Sequence, residues 1–316
     1  MVVESPPNTL GMVNDYFFRY VIDLGNAGPD RGEGGKYLFL PPDFEGDVPE
    51  GYFVYRCPTF GNVMFWRGFL VDGDPGPGVA SIKEHTRIYP LEKPEEREKT
   101  EFINWSGLDF NTVHPNNFHF YEEVNAVVQE EPVEAFGPEL MGLLLSIGIE
   151  KGKEFNPNEA QRKTLREAAA VGNATARSIS FHQKGNEITE QAFIYEDSAW
   201  FTAFLGGYQF IQNGARLLDG RTMFHFPYTA VTPAMEVKIV GVGSQYAAAT
   251  LDADGNYLDG TNNYTLHLPP NVPAINFWSV LVYDPQTRSM LQTDQQFPGL
   301  NNMRGALQPN EDGSFD

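Results

Sequence analysis

The chain has 316 residues, 41% hydrophobic and 20% charged, and its 22 basic and 42 acidic side chains leave a formal net charge of −20. A field of that sign repels phosphate backbones and anionic bilayers, so nucleic acid is not expected as a partner. Cys57 stands alone and cannot form an internal disulfide, and no stretch approaches the ~18 consecutive apolar residues of an integral membrane segment.

Thirty-one Gly, 23 Pro and 13% aromatic residues favour short strands and tight turns over a helical bundle. The expected class is mainly β with a helical connector. Asn14 to Leu24 is aromatic and apolar, with strand and short helix both open, and a Gly-rich loop follows to Gly35. Lys36 to Leu40, Tyr52 to Arg56 and Asn62 to Val71 read as strands at meander-like spacing. A short helix is expected over 79–86 and a strand over 87–91, before the charged run Glu92 to Glu101, which reads as a solvated loop.

Phe118 to Glu131 places Phe120, Tyr121, Val124, Val127 and Val128 at helical spacing and is stopped by Pro132. Pro138 to Ile149 is expected as a second helix. A third opens at Asn156-Pro157-Asn158-Glu159, with Asn156 as cap, Pro157 at the first helical position and Glu159 as the capping-box acid, and runs to about Ser178. Phe224 to Met235 reads as a helix broken by prolines, and Val237 to Ala249 as a strand whose glycines allow a bulge.

Leu251 to Asp284 holds the densest turn chemistry, at Asp252, Asp254-Gly255 and Asp259-Gly260. Tyr264, Leu266 and Leu268 then alternate with Thr265 and His267, so His267 should face solvent. Ile275 to Tyr283 is apolar on both faces and reads as a central strand with Phe277 and Trp278 buried and Ser279 packed under a neighbouring layer. Asp284 to Thr287 turns it toward a return strand near Ser289 to Leu291. The expected division is a β domain over 1–117, a helical connector over 118–197 and a second β domain over 198–316.

Several motifs taken together resemble the bacterial two-domain family catalogued as domain of unknown function 1254 followed by domain of unknown function 1214. Asp23 to Asp30, Gly34 to Tyr37, Leu40-Pro41-Pro42, Pro49 to Tyr52 and Arg67 to Asp74 are similar to the first domain's signature run. Asp252, Asp254-Gly255, Leu258 to Gly260, Tyr264, Pro270, Pro273, Phe277 to Ser279 and Tyr283-Asp284 are similar to the second domain's core motif. The resemblance implies two β-sandwich, jelly-roll-like domains joined by helices, and a family that is largely bacterial and often exported. Against it, the chain reads as clipped ahead of Val2 and past the Asn310 to Ser314 motif, without a signal-type leader at Met1. A periplasmic or secreted full-length form is therefore an expectation, with no activity implied.

Catalytic signatures are sparse. Ser279 lies outside a G-x-S-x-G elbow, the Gly32 to Gly35 stretch lacks the Lys and helix of a phosphate loop, and Asp252 and Asp254 lack the further ligands of a calcium loop. His114, His119 and Glu123 are the nearest approach to a metal set, but Glu122 and Glu123 in the first turn of a helix, where carboxylates complement the dipole, and His114 before a proline in a loop are the stronger reading, so no metal and no cofactor is expected. Aromatic and arginine residues, namely Tyr52, Arg56, Trp66 and Arg67 in the first domain and Trp278, Tyr283 and Asp284 in the second, suit stacking on a small-molecule or carbohydrate ligand. The expected function is thus a ligand-binding or envelope-associated protein, with a homo-oligomer left open. The alternative is a hydrolase or metal-dependent enzyme whose site is gathered from loops of both domains.

Overall fold

The computed structural model describes residues 1–238, 244–275, 277–295, 297–303 and 307–316. Helix accounts for 26% and strand for 19%, in several small sheets, so the class is mixed α/β and the mainly β expectation is corrected. Two compact units are present, one of Met1–Leu108, Pro115–His182 and Phe204–Tyr246, the other of Asp109–His114, Gln183–Ala203 and Ala247–Asp316. Among the described residues no helix is long and apolar enough to cross a membrane.

The first unit begins with strands β1 (Val2–Ser5), β2 (Thr9–Asp15), β3 (Tyr20–Gly25), β4 (Gly35–Leu40), β5 (Phe53–Arg56), β6 (Asn62–Gly68) and β7 (Arg87–Tyr89), with helix α1 (Gly76–His85) before β7. They form a four-stranded sheet in the order β5-β4-β1-β7 and a three-stranded sheet in the order β3-β2-β6. Alternation decides what each strand buries. Val3, Tyr37 and Phe39 from one sheet meet Val13 and Leu24 from the other in a single apolar cluster, which Cys57 joins. Strand is thus the resolution of the ambiguous aromatic run at 14–24.

The loop between β3 and β4 is fixed by one buried carboxylate. Asp30 Oδ1 accepts from the Gly25 amide at 2.8 Å and from the Tyr37 hydroxyl at 2.6 Å. Gly25 itself sits at φ +71° with a Cβ position only 2.0 Å from the Thr9 carbonyl oxygen, so no side chain fits there. The turn from Gly25 to Asp30 is accordingly fixed by its own backbone and one carboxylate.

The charged run 92–101 also differs from expectation. Pro94–Lys99 is a 3-10 helix that delivers Arg97 to the buried Glu4, at 2.7 Å between the Arg97 guanidinium and Glu4 Oε2. Burial pushes the Glu4 carboxyl up, but bonds from Arg97 and Tyr89 outweigh it and hold it below its ordinary value.

Cys57 is 2% exposed, and burial pushes its thiol up to about 11. The thiolate is the reactive form, so a thiol reagent at about pH 8 should label the native chain negligibly and label it fully once guanidinium unfolds it. Rapid labelling of native protein would contradict the placement.

Four helices follow in the same unit, α2 (His119–Glu130), α3 (Val133–Phe136), α4 (Pro138–Ser146) and α5 (Glu159–Phe181). The cap of α5 falls two residues later than expected. Asn158 accepts from the Gln161 amide and Gln161 Oε1 accepts from the Asn158 amide, so Glu159 is the first helical residue and not the capping-box acid. At the end of α2, the buried Glu131 carboxylate accepts the Phe60 and Gly61 amides at 2.6 and 2.8 Å, tying the helices to the loop ahead of β6.

The segment from Phe204 supplies the small ribbon β8 (Ile211–Gln212) and β9 (Ala215–Arg216) and helix α6 (Leu218–His225). The helix expected over 224–235 is not continuous: α6 ends before Pro227, and only Pro233–Met235 turns again, as a 3-10 helix. The strand expected over 237–249 includes residues 239–243, which lie outside the described residues.

In the second unit the acidic turn is as read: Asp252 Oδ1 accepts the amides of Asp254 and Asn256, and Gly255 takes φ +82°. His267 is exposed, with Nδ1 at 2.8 Å from Asp316 Oδ1. The strand over 264–268 is reduced to a single bridge between Leu268 and Phe315. The expected central strand is corrected too: β10 (Ser279–Leu281) pairs with β11 (Gly299–Asn301) alone, Phe277 is 54% exposed, Trp278 is half-buried and Ser279 is exposed. A two-stranded ribbon with no second layer among the described residues leaves its apolar side chains open.

Candidate functional site

The three-stranded sheet turns Val13 and Leu24 into the core, so Asn14 and Asp23 point to its other face. A register shift between Val13 and Asn14 in the pairing with β3 places Tyr20 opposite Asn14. Ala230 to Thr232 lies along this face as a buried strap. Asn14 holds it by both backbone groups of one residue: Nδ2 donates to the Val231 carbonyl at 2.8 Å, and Oδ1 accepts the Val231 amide at 2.9 Å. Thr232 donates its hydroxyl to Asp23 Oδ1 at 2.5 Å.

Asp23 is 6% exposed, and burial pushes its carboxyl up to about 6 even though bonds from Thr232 and Tyr20 pull the other way. The Tyr20 hydroxyl accepts the Asp23 amide at 3.1 Å, and burial raises its phenol well above the ordinary value, with the Asp23 charge adding to it. The Tyr20 ring meets Tyr208 edge to face at 5.3 Å, both half-buried.

Two arginines are neighbours of the pair along the chain. Arg19, just before β3, binds Asp15 through Nε at 2.5 Å and the Ala135 carbonyl through its guanidinium at 3.1 Å. Arg216, on β9, donates to the Gln209 carbonyl at 2.6 Å, next to Tyr208. Arg221, on α6, is exposed, and partial desolvation followed by the charges of Arg216 and Arg19 draws it below the ordinary guanidinium value. The face thus combines two tyrosine rings with one titratable carboxyl, an arrangement able to stack on a ring.

Sequence reasoning missed this set. Asp23 alone carried a signal, as the one acidic residue in the apolar run YVIDL, where a charge implies a buried partner.

The residues singled out from sequence fall elsewhere. Tyr52 packs with Phe44 against Val2, Leu38, Leu40 and Tyr89, while the Arg56 guanidinium donates to the Phe44 carbonyl at 2.9 Å and lies 5.9 Å from the Phe44 ring. Trp66 packs against the sheet-to-sheet core and donates to the Ser5 hydroxyl at 3.3 Å, and Arg67 next to it is exposed. In the second unit Trp278 meets Phe315 edge to face at 5.1 Å and Tyr283 is 55% exposed. Asp284 accepts the Gln286 amide and the Thr287 hydroxyl, and so closes a turn.

His119 does share a helical face with Glu123, its Nε2 3.2 Å from Oε1, but its Nδ1 meets Glu122 at 2.9 Å. The hydrogen bond to Glu122 and then the Glu123 charge raise its pKa, so these groups stand as an exposed ion pair. His114 belongs to the other unit. Among the described residues no three His, Cys, Asp or Glu side chains are placed to hold a metal ion. An open depression of about 440 Å³ in the second unit is lined by Lys184, Glu190, Phe193, Ile194, Tyr195 and Glu196.

Comparison with known proteins gives two family matches. Residues 1–90 match the family described as protein of unknown function DUF1254, and residues 243–316 match protein of unknown function DUF1214. No curated protein matches the chain. Among solved structures, the VPA0106 protein from Vibrio parahaemolyticus is similar over 99% of this chain and 72% of its own, at 18% identity and a TM-score of 0.52, a likeness of fold.

Proposed function

Since the chain belongs to the two-domain family in which DUF1254 is followed by DUF1214, whose descriptions carry no activity, we propose a function from the site itself: a protein that binds a small ring-bearing molecule. The observation that carries this reading is the half-buried Tyr20 and Tyr208 pair, edge to face at 5.3 Å beside a buried carboxyl. Flat rings with polar tips bind sugars and other amphipathic rings at small entropic cost. The facing N-terminal sheets are the part of the fold to which the sandwich reading applies. Tyr52 with Arg56, Trp66 with Arg67, and Trp278 with Tyr283 and Asp284 are secondary stacking surfaces under the same reading.

The test is a thermal-shift panel of mono- and oligosaccharides and aromatic acids. A dose-dependent rise in Tm that Tyr208→Ala removes is expected. A panel without any shift, or shifts that Tyr208→Ala leaves intact, contradicts it.

One observation favours a second, enzymatic reading. A carboxyl titrating at about 6 beside a tyrosine has the acidity of a general acid or base near neutrality. Under that reading turnover depends on a group of about that pKa and Asp23→Asn removes it.

A further inference from the structure

The ribbon of β10 and β11 is served along one edge only. Val282 donates its amide to the Pro298 carbonyl at 3.1 Å and accepts the Leu291 amide at 3.2 Å, Asp284 donates to the Ser289 carbonyl at 2.9 Å, and Trp278 accepts the Asn302 amide at 3.3 Å. These are alternate positions of one extended run, so the amides and carbonyls of Ser279, Leu281 and Tyr283 turn to the opposite edge. Among the described residues those groups have no hydrogen-bond partner. The outer edge of β11 differs, because the Gln295 side chain caps the Gly299 carbonyl at 3.3 Å. The open edge therefore belongs to β10.

An unpaired edge is a template for another strand, and its own sequence decides which strand fits. Antiparallel pairing about a two-fold axis at Val280 sets Ser279 against the second copy's Leu281, where both backbone bonds are exchanged, and Phe277 against the second copy's Tyr283. Phe277 is 54% and Tyr283 55% exposed, so two rings without cover in one copy become a cross-strand aromatic pair in two. Charge favours the same place. From Phe277 to Met303 the chain carries two acids, Asp284 and Asp294, and one base, Arg288, a net −1 against −20 overall, so two acidic copies meet here with little repulsion. The half-exposed Phe277, Leu281, Val282, Tyr283 and Leu300 leave roughly 500 Å² of apolar side chain open per copy, which places the contact at the low end of specific interfaces and makes it reversible.

We infer that β10 is a self-association strand: two copies of this chain join their ribbons edge to edge through Ser279–Leu281 into one four-stranded antiparallel sheet. The pairing is independent of ring binding in the first unit.

Sedimentation equilibrium of the full chain from about 1 to 200 μM, a range that spans the affinity of a small interface, tests it beside Ser279→Pro, Tyr283→Lys and Val280→Cys. The parent is expected to pass from monomer to dimer with a Kd on the order of 10 μM. Ser279→Pro removes an amide that bonds nothing within the chain, and Tyr283→Lys places a charge at an exposed position on the edge. Each should keep the parent's circular dichroism and Tm while weakening dimerisation about tenfold or more. Val280→Cys meets its own copy across the two-fold axis, at a spacing a disulfide spans, and should oxidise to a covalent dimer at least about tenfold faster than Leu143→Cys, an exposed control on α4. Cys57 is buried and adds no cross-link.

A chain that stays monomeric to the highest concentration overturns the inference and leaves the edge to a strand of a different protein. A dimer that Ser279→Pro and Tyr283→Lys leave intact, or Val280→Cys that cross-links no faster than Leu143→Cys, overturns it too, since the copies then meet through another face. Should Ser279→Pro fail to fold, Tyr283→Lys and the cross-link decide.

Discussion

Asn14→Ala is expected to lower the unfolding free energy by about 2–6 kcal/mol, measured by urea denaturation. Asn14 is fully buried and serves the amide and the carbonyl of Val231, which is 1% exposed. Truncation leaves both backbone groups without partner or water, and each such group costs roughly 1–3 kcal/mol. The strap from Ala230 to Thr232 then loses its hold on the sheet, and with it the hydroxyl that Asp23 accepts. Asn14→Asp should recover only part of the loss, since a carboxylate can accept from the Val231 amide but cannot donate to its carbonyl. A loss below about 1 kcal/mol for Asn14→Ala would mean the strap is held by packing alone.

The second large effect is a pH dependence centred on Asp23. Its carboxyl is raised from an ordinary value of 3.8 to about 6, so the folded state holds the proton more tightly than the unfolded chain. The sign follows from linkage: the stability this proton confers is complete below 3.8 and is lost as pH rises through about 6. Two units at ~1.4 kcal/mol each make the contribution about 3 kcal/mol. Asp23→Asn keeps an acceptor for Thr232 and carries no charge. It should match the parent near pH 4 and exceed it by up to about 3 kcal/mol at pH 8, with the difference opening across that window. Other carboxylates, Glu4 among them, shift the opposite way, so the informative quantity is variant minus parent. A difference that is flat with pH would mean Asp23 is ionised without penalty.

Local chemistry made much of the architecture legible. Pro132 ends α2, Pro138 opens α4, and the turn from Asp252 closes on residues within four positions of it. Where two local solutions compete, spacing cannot choose. Asn156 with Glu159 and Asn158 with Gln161 satisfy the same capping-box rule, and the structure takes the second. Phe277 shows the opposite limit: an apolar run predicts burial only if another layer exists to cover it, and β10 has one partner strand. The Glu92 to Glu101 run looked like solvated charge because its partner, Glu4, lies some ninety residues away.

The site was least legible for the same reason. Asn14 and Val231 are 217 residues apart, and Asp23 and Thr232 are 209 apart. Tyr20 and Tyr208 have no spacing to recognise until β3 and the segment from Phe204 lie together. Composition pointed to Tyr52, Arg56 and Trp66, which the fold uses for packing and carbonyl contacts.

Hydrogen exchange of the full chain, with and without a ligand found in the thermal-shift panel, tests the binding face most directly. Slower exchange at 19–24 and 206–222, with residues 184–196 unchanged, is the predicted result. Protection confined to 184–196, the rim of the open depression, would contradict it and move the site to Lys184 and Tyr195.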